Sequence, residues 1–264
     1  MKTFLCIAGC VGSFSHVIAQ SFHHAYGPFF TGYMAYSVHQ NTPFAFLSNT
    51  ASLAQCTKVG AGLMAENKFG LRELNSYCAT VQAPFAGGAA ALVADWAGSA
   101  ALNQSQLSLA CARSLGAVNL GIRFNYYMVR MDGYGNDGAI SFEIGSTWHI
   151  TEKLCTGLQV SNPIGKLSAV YSMGMGYECN EQFFISAVFS KEENKTSNLQ
   201  MALQYTPAER LLTMVGFNSS MASPSFAAGW SWQNMQVMVS GSFHPQLGAS
   251  TGIVIIFYGK KKDE

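Results

Sequence analysis

Residues 117–129 keep strict period two. Val118, Leu120, Ile122, Phe124, Tyr126 and Met128 alternate with Asn119, Gly121, Arg123, Asn125 and Tyr127. Successive side chains on a strand point to opposite faces, so this is a strand with one oily and one polar face. It is longer than a common globular strand. Its oily face ends in Tyr126, an amphipathic ring of the kind that sits at a membrane interface. Its polar face mixes Asn and Arg with Gly, which suits a wet, crowded interior. The strand is built to face lipid on one side and a lumen on the other.

The whole chain tolerates that design because it is poor in charge. It is 49% hydrophobic and 11% charged, against about 25% charged in ordinary soluble domains. A net charge of +1 gives no electrostatic case for nucleic acid. Beyond the N-terminus no stretch supplies the roughly eighteen apolar residues of a membrane helix. Backbone groups in hydrocarbon must be bonded internally, so the remaining membrane solution is a closed β-barrel.

Fourteen strands follow from the pattern: 58–66, 74–85, 87–96, 106–114, 117–129, 139–150, 154–161, 168–178, 182–190, 198–205, 210–218, 223–232, 236–244 and 250–258. An even number suits a bacterial single-chain barrel. Tight connections at Leu115-Gly116, Thr151-Glu152-Lys153, Asn180-Glu181 and Asn234 alternate with longer ones. The longer ones are 67–73, 97–105, 130–138, 162–167, 191–197 and 245–249. Tight periplasmic turns and longer outer loops are the outer-membrane arrangement. Trp96, Tyr126, Phe189, Phe217 and Phe243 then form an outer aromatic girdle. Trp148, Tyr205, Trp230, Trp232 and Phe257 form the periplasmic one.

Residues 1–19 read as a signal peptide. Lys2 gives the positive start, an apolar body follows, and Val17-Ile18-Ala19 is a cleavage site before Gln20. Ile7-Ala8-Gly9-Cys10 is an alternative, a short lipobox that would lipidate Cys10. Five cysteines then remain: Cys56, Cys78, Cys111, Cys155 and Cys179. Their odd number and spacing indicate neither a disulfide framework nor a zinc site, so they read as small apolar fillers.

Residues 20–57 contain no Asp, Glu, Lys or Arg and are rich in aromatics. Such a segment needs a buried home. It either plugs the lumen or packs as an extra strand and short helix under the barrel rim. The barrel proper is 58–259, and 260–264 is a charged tail. Glu66, Asp95, Arg123 and Glu143 fall on or just beyond inward parity. Arg123 is placed diagonally across one hairpin from Glu143, with Asn119, Asn125, Tyr127, Ser141 and Thr147 nearby. This group is either a polar constriction that selects solutes or a fixed ion-pair network.

No enzyme is expected. Ser242 and His244 share a strand face but have no third partner, and His244-Pro245 reads as the start of a loop. His23, His24 and His39 lack further ligands for a metal. Nothing implies a cofactor.

Several motifs carry a resemblance. Ser48-Asn49-Thr50-Ala51-Ser52-Leu53-Ala54 is similar to the N-P-A-x-L-A segment of the FadL-type outer-membrane proteins of Bacteroidota, including the PorV/PorQ-like group, with Thr50 where that motif has proline. Residues 66–75, Gly133-Tyr134-Gly135, Phe142-Glu143-Ile144-Gly145, Thr151-Glu152-Lys153-Leu154, Ser161-Asn162-Pro163 and Phe243-His244-Pro245 follow in the same order. The resemblance implies a transmembrane antiparallel up-and-down barrel of about fourteen strands in the bacterial outer membrane. An N-terminal plug-like segment would hold Asn49, Thr50 and Ala51. It implies either passage of small hydrophobic solutes or a non-transporting role in type IX secretion or surface-protein docking. The partners expected are outer-membrane lipid, a hydrophobic small molecule and secretion-machinery proteins.

Overall fold

The computed structural model of the chain describes residues 34–38, 42–133, 135–163, 167–193 and 195–259. Fourteen antiparallel strands close into one barrel. They are β1 (Gly60–Asn67), β2 (Asn75–Phe85), β3 (Gly88–Gly98), β4 (Leu102–Leu115), β5 (Val118–Met131), β6 (Gly135–His149) and β7 (Leu154–Ser161). Then come β8 (Val170–Glu178), β9 (Phe183–Glu192), β10 (Asn198–Ala208), β11 (Leu211–Asn218), β12 (Ser223–Trp232), β13 (Met235–His244) and β14 (Gly248–Tyr258). Each strand pairs with its sequence neighbours, and β1 pairs with β14 to complete the ring. Closure removes the free edges that would otherwise leave backbone groups unbonded in hydrocarbon.

Strand β5 shows why the sequence chooses this form. Leu120, Ile122, Phe124, Tyr126 and Met128 are exposed on the outside, whereas Asn119, Arg123, Asn125 and Tyr127 are buried inside. Outward residues meet like neighbours across the ladder: Ile122 pairs with Ile144 and Phe124 with Phe142. The same alternation runs through every strand, so the outer surface is a belt of Leu, Ile, Val, Met and aromatic side chains. A closed barrel with such a belt is a transmembrane β-barrel.

The aromatics lie mainly outward and near the rims. Tyr126, Phe189, Phe217 and Phe243 are exposed towards one rim, and Trp148, Trp230, Trp232 and Phe257 towards the other. Trp96 and Tyr205 are half-buried. Trp96 leans on Tyr77 at 5.8 Å, and Tyr205 stacks on Phe183 at 4.4 Å.

Two expected long loops are absent. The β3–β4 and β5–β6 connections are only 99–101 and 132–134, because β4, β5 and β6 run to 14, 14 and 15 residues. The pairs Asn103↔Arg130 and Arg130↔Asn136 extend the ladder well past the apolar alternation. Above the hydrocarbon, alternation is no longer enforced, but backbone pairing still is. Gly133, at φ 78, takes the left-handed conformation that so short a return needs.

The proposed signal segment, Cys10, His23, His24, His39 and the 260–264 tail lie outside the described residues. Of the five later cysteines, Cys56, Cys78 and Cys155 are buried fillers, but Cys111 is exposed on the outer face. The filler reading therefore fails for Cys111, which sits on the outward parity of β4.

Candidate functional site

The lumen is stratified along the strands. Towards the rim of tight turns, inward positions on several strands are apolar, such as Met64 on β1, Ala89, Ala91 and Val93 on β3, Met214 on β11, Met238 on β13 and Val254 and Ile256 on β14, whereas Thr80, Asn119, Thr147, Glu178 and Gln204 keep polar groups at that end on others. Towards the opposite rim they are polar, such as Glu66, Ser76, Asp95, Gln106, Asn125 and Ser225. The described part of the N-terminal segment lies in the apolar half and belongs to the same buried cluster through Phe44, Phe46 and Leu53.

A row of inward glycines makes room for it. A Cβ at Gly62 would lie 2.4 Å from the Phe44 ring, and one at Gly174 would lie 2.2 Å from the Tyr36 ring. At Gly121 it would strike the Thr50–Ala51 peptide, and at Gly145 the Asn49 amide oxygen. Gly121 is thus a socket for backbone, not an open stretch of lumen wall.

Polar contacts pin the segment at both sides of the lumen. Thr80 Oγ1 on β2 donates to the Pro43 carbonyl at 2.7 Å. Opposite, the Glu178 carboxylate on β8 accepts from Ser37 Oγ at 2.8 Å and from the Val38 N–H at 2.7 Å. Between them, Asn49 caps the 3₁₀ turn Thr50–Gln55 by accepting from the Ala51 N–H. Its amide nitrogen donates to the carbonyls of Ser146 at 3.1 Å and Leu158 at 3.2 Å. Asn49, Thr50 and Ala51 are all fully buried. Tyr36 is buried too, and burial pushes its phenol up to about 12.

Arg123 and Glu143 stand directly opposite each other in the β5–β6 register, not diagonally as the hairpin reading had it. Arg123 Nη2 donates to both Glu143 oxygens at 2.7 Å, and both side chains are 0% exposed. Asn125 Nδ2 donates to one Glu143 oxygen at 2.9 Å, and Gln159 Nε2 to the other at 2.8 Å. Gln106 holds Asn125 from the next strand. Ser141 stands in register with Asn125, next to Glu143, but the other expected neighbours make their bonds away from the pair. Asn119 bonds Thr147, Ser141 bonds Asn162, and Glu66 lies on β1 with three strands between it and β5. Asp95 faces the lumen from β3, and Tyr127 is buried on β5.

Gln159 is the residue that sequence reading missed. Its Oε1 accepts from the Thr50 N–H at 2.8 Å while its Nε2 serves Glu143. One amide therefore joins the N-terminal segment to the charge pair. The bond requires a backbone donor at position 50, which proline cannot supply. The Thr50 that departs from the N-P-A pattern and the inward Gln159 fit each other.

The Ser242–His244 grouping resolves into turn chemistry. His244 Nδ1 accepts from the Gln246 and Leu247 N–H groups, which commits the ring to the β13–β14 turn.

Solved structures place this architecture. The CymD monoaromatic hydrocarbon channel superposes with a TM-score of 0.65 at 10% identity, covering 87% of this chain and 94% of that one. A deltaS2S3 mutant of the TodX monoaromatic hydrocarbon channel gives 0.65 at 8% identity, covering 88% and 98%. A TodX deltaS2 mutant gives 0.61 at 9% identity, covering 89% and 98%. At such identities the likeness is one of fold. No family model matches the chain, and no curated protein matches its sequence.

Proposed function

We propose that this protein is a non-enzymatic outer-membrane channel for small apolar solutes, with the tight turns periplasmic and the N-terminal segment as its plug. The observation that carries the reading is the seating of residues 42–57. An uncharged, aromatic stretch lies across the apolar half of the lumen on a bed of glycines. Where Asn49, Thr50 and Tyr36 sit, the wall is cut back to bare backbone. Hydrogen bonds worth about 1 kcal/mol each and the packing of Phe44, Phe46 and Leu53 hold it, while the barrel closes through its own backbone ladder. The similarity to monoaromatic hydrocarbon channels supports the same solute class. Arg123 and Glu143 form the polar layer next to the plug, and Gln159 reports the plug's position to them.

A second reading is a non-transporting barrel that docks secretion or surface-export proteins, as in the PorV/PorQ-like group. The short outer connections at 99–101, 132–134 and 245–247 favour it, because they leave little loop for capturing a solute. Deletion of residues 21–55 separates the two. A plug predicts a folded barrel with raised single-channel conductance in planar bilayers. It also predicts that cells bearing the intact protein accumulate a labelled monoaromatic hydrocarbon faster than cells lacking it. A folded but silent deletion variant, with no gain in accumulation, transfers the case to docking.

A further inference from the structure

The strands sort their charges by sign. Arg113 on β4, Arg130 on β5 and Lys191 on β9 share the outward parity of Leu109, Met128 and Phe189. Glu66, Asp95, Asp137, Glu143, Glu178 and Glu192 all take the inward parity of their strands. The outward face of the strands therefore carries cations and no carboxylate. The cations stand at its margins, Arg113 near the tight turns and Arg130 and Lys191 near the opposite rim. Such a surface is complementary in charge to anionic head groups.

Around Arg130 the surface offers more than charge. Asn103, Arg130 and Asn136 form one outward row across β4, β5 and β6. Adjacent strands are about 4.8 Å apart, so the row spans about 10 Å. The next outward row towards the belt is Ser105, Met128 and Gly138, and below it come Leu107, Tyr126 and Ile140. Tyr126 leans across the middle row, since a Cβ on Gly138 would lie 3.3 Å from its Oη. The phenol is thereby carried one row nearer Arg130. Arg130 and Asn136 are exposed, and no ion pair among the described residues occupies the guanidinium. Of the nearby acids, Asp137 accepts from the Gly138 N–H on its own strand, and Asp132 lies in the turn beyond β5. Below these donors Ile140 is 77% exposed, because β7 follows β6 only as far as Phe142. The apolar belt continues from it through Phe124 and Ile144.

We infer that the outward face where β4, β5 and β6 rise above the belt is a binding site for an anionic phospholipid. Arg130 holds the phosphate with its guanidinium fork, the Asn103 and Asn136 amides and Tyr126 Oη donate to the remaining oxygens, and an acyl chain lies on Ile140 and the belt beneath. The place of the donors, directly above exposed apolar side chains, selects a phosphate that carries acyl chains. A free phosphate would meet only exposed donors in water, where the attraction is screened. A zwitterionic head group brings its own cation towards Arg130 and gains less. The site lies on the outside of the barrel, so it stands apart from solute passage through the lumen.

The test is native mass spectrometry of the full-length barrel, released from detergent micelles that hold equal amounts of phosphatidylglycerol and phosphatidylcholine. Phosphatidylglycerol should be retained about tenfold over phosphatidylcholine. R130Q should remove most of that preference, whereas R113Q and K191Q should each leave most of it. The Asn103→Ala/Asn136→Ala double variant keeps every charge and should still weaken retention several-fold, which separates a built site from bulk attraction. Equal retention of the two lipids, or a preference that R130Q leaves intact, overturns the inference. Equal losses in R130Q, R113Q and K191Q would show general charge attraction alone and overturn the site. Displacement of the lipid by glycerol phosphate at equal concentration would make this a free-phosphate site and overturn the lipid assignment.

Discussion

The seat of the N-terminal segment can be tested with one methyl group. In Gly121→Ala the new Cβ would lie 2.5 Å from the Thr50 carbonyl carbon and 2.6 Å from both Thr50 O and Ala51 N. All three are backbone atoms, and the turn that carries them is held from the other side by Gln159, Ser146 and Leu158. The turn cannot rotate a side chain out of the way. Overpacking of this kind costs about 1–3 kcal/mol. The three hydrogen bonds that seat the start of the turn are worth about 1 kcal/mol each, or some 3 kcal/mol together. The methyl group therefore competes on equal terms with the three polar contacts around Asn49 and Thr50, leaving the Gln55–His149 contact at the far end of the turn. A shift of about 2 kcal/mol multiplies the unseated fraction roughly thirtyfold. Chymotrypsin is the suitable probe, because the segment offers aromatics and neither Lys nor Arg. Cleavage in the segment should accelerate by about that factor while the barrel keeps its heat-modifiable band on gels, and brief openings should appear in planar bilayers. Gly138→Ala is the control, since its Cβ finds nothing nearer than Tyr126 Oη at 3.3 Å. If Gly121→Ala and Gly138→Ala are cleaved at the same rate, the segment does not rest on β5 and the reasoning is wrong.

Other substitutions probe the same arrangement. Thr50→Pro deletes the donor to Gln159 Oε1 and should lower thermal stability by about 1–3 kcal/mol, with faster chymotrypsin cleavage. Arg123→Gln leaves Glu143 buried without its cation and should cost about 3–5 kcal/mol in denaturant melts, whereas Arg123→Gln/Glu143→Gln should recover most of it. Ile122→Arg or Phe124→Arg puts a charge into hydrocarbon and should cost about 2–4 kcal/mol near the midplane; assembly as efficient as wild type would overturn the assignment of faces. A bilayer-soluble maleimide should label Cys111 in the folded barrel and spare Cys56, Cys78 and Cys155 until it is denatured.

The site was legible in part. Parity alone places Glu66, Asp95, Arg123, Glu143, Asn125 and Tyr127 inside, because an outward charge in hydrocarbon is too costly to keep. The motif around Asn49 marks the turn that the wall receives. Neither signal reveals Gln159, Glu178 or the glycines at 145, 157, 174 and 176 as contacts. An inward Gln or Gly on a short strand carries no mark of what it will meet. The expected loops at 97–105 and 130–138 misled for a related reason, since the pattern that announces a strand ends with the hydrocarbon while the strand itself continues.

The sequence by itself determined the closed barrel, its strand count and the face each residue takes. Period two next to lipid is enforced residue by residue, so it can be read locally. Only the tertiary structure decided who meets whom across the lumen. Thr50 and Gln159 are 109 residues apart in the chain, and Ser37 and Glu178 are 141 apart. Such meetings depend on how far the sheet curves and how its strands are sheared before β1 finds β14. That closure is a property of all fourteen strands at once, and no single stretch of sequence records it.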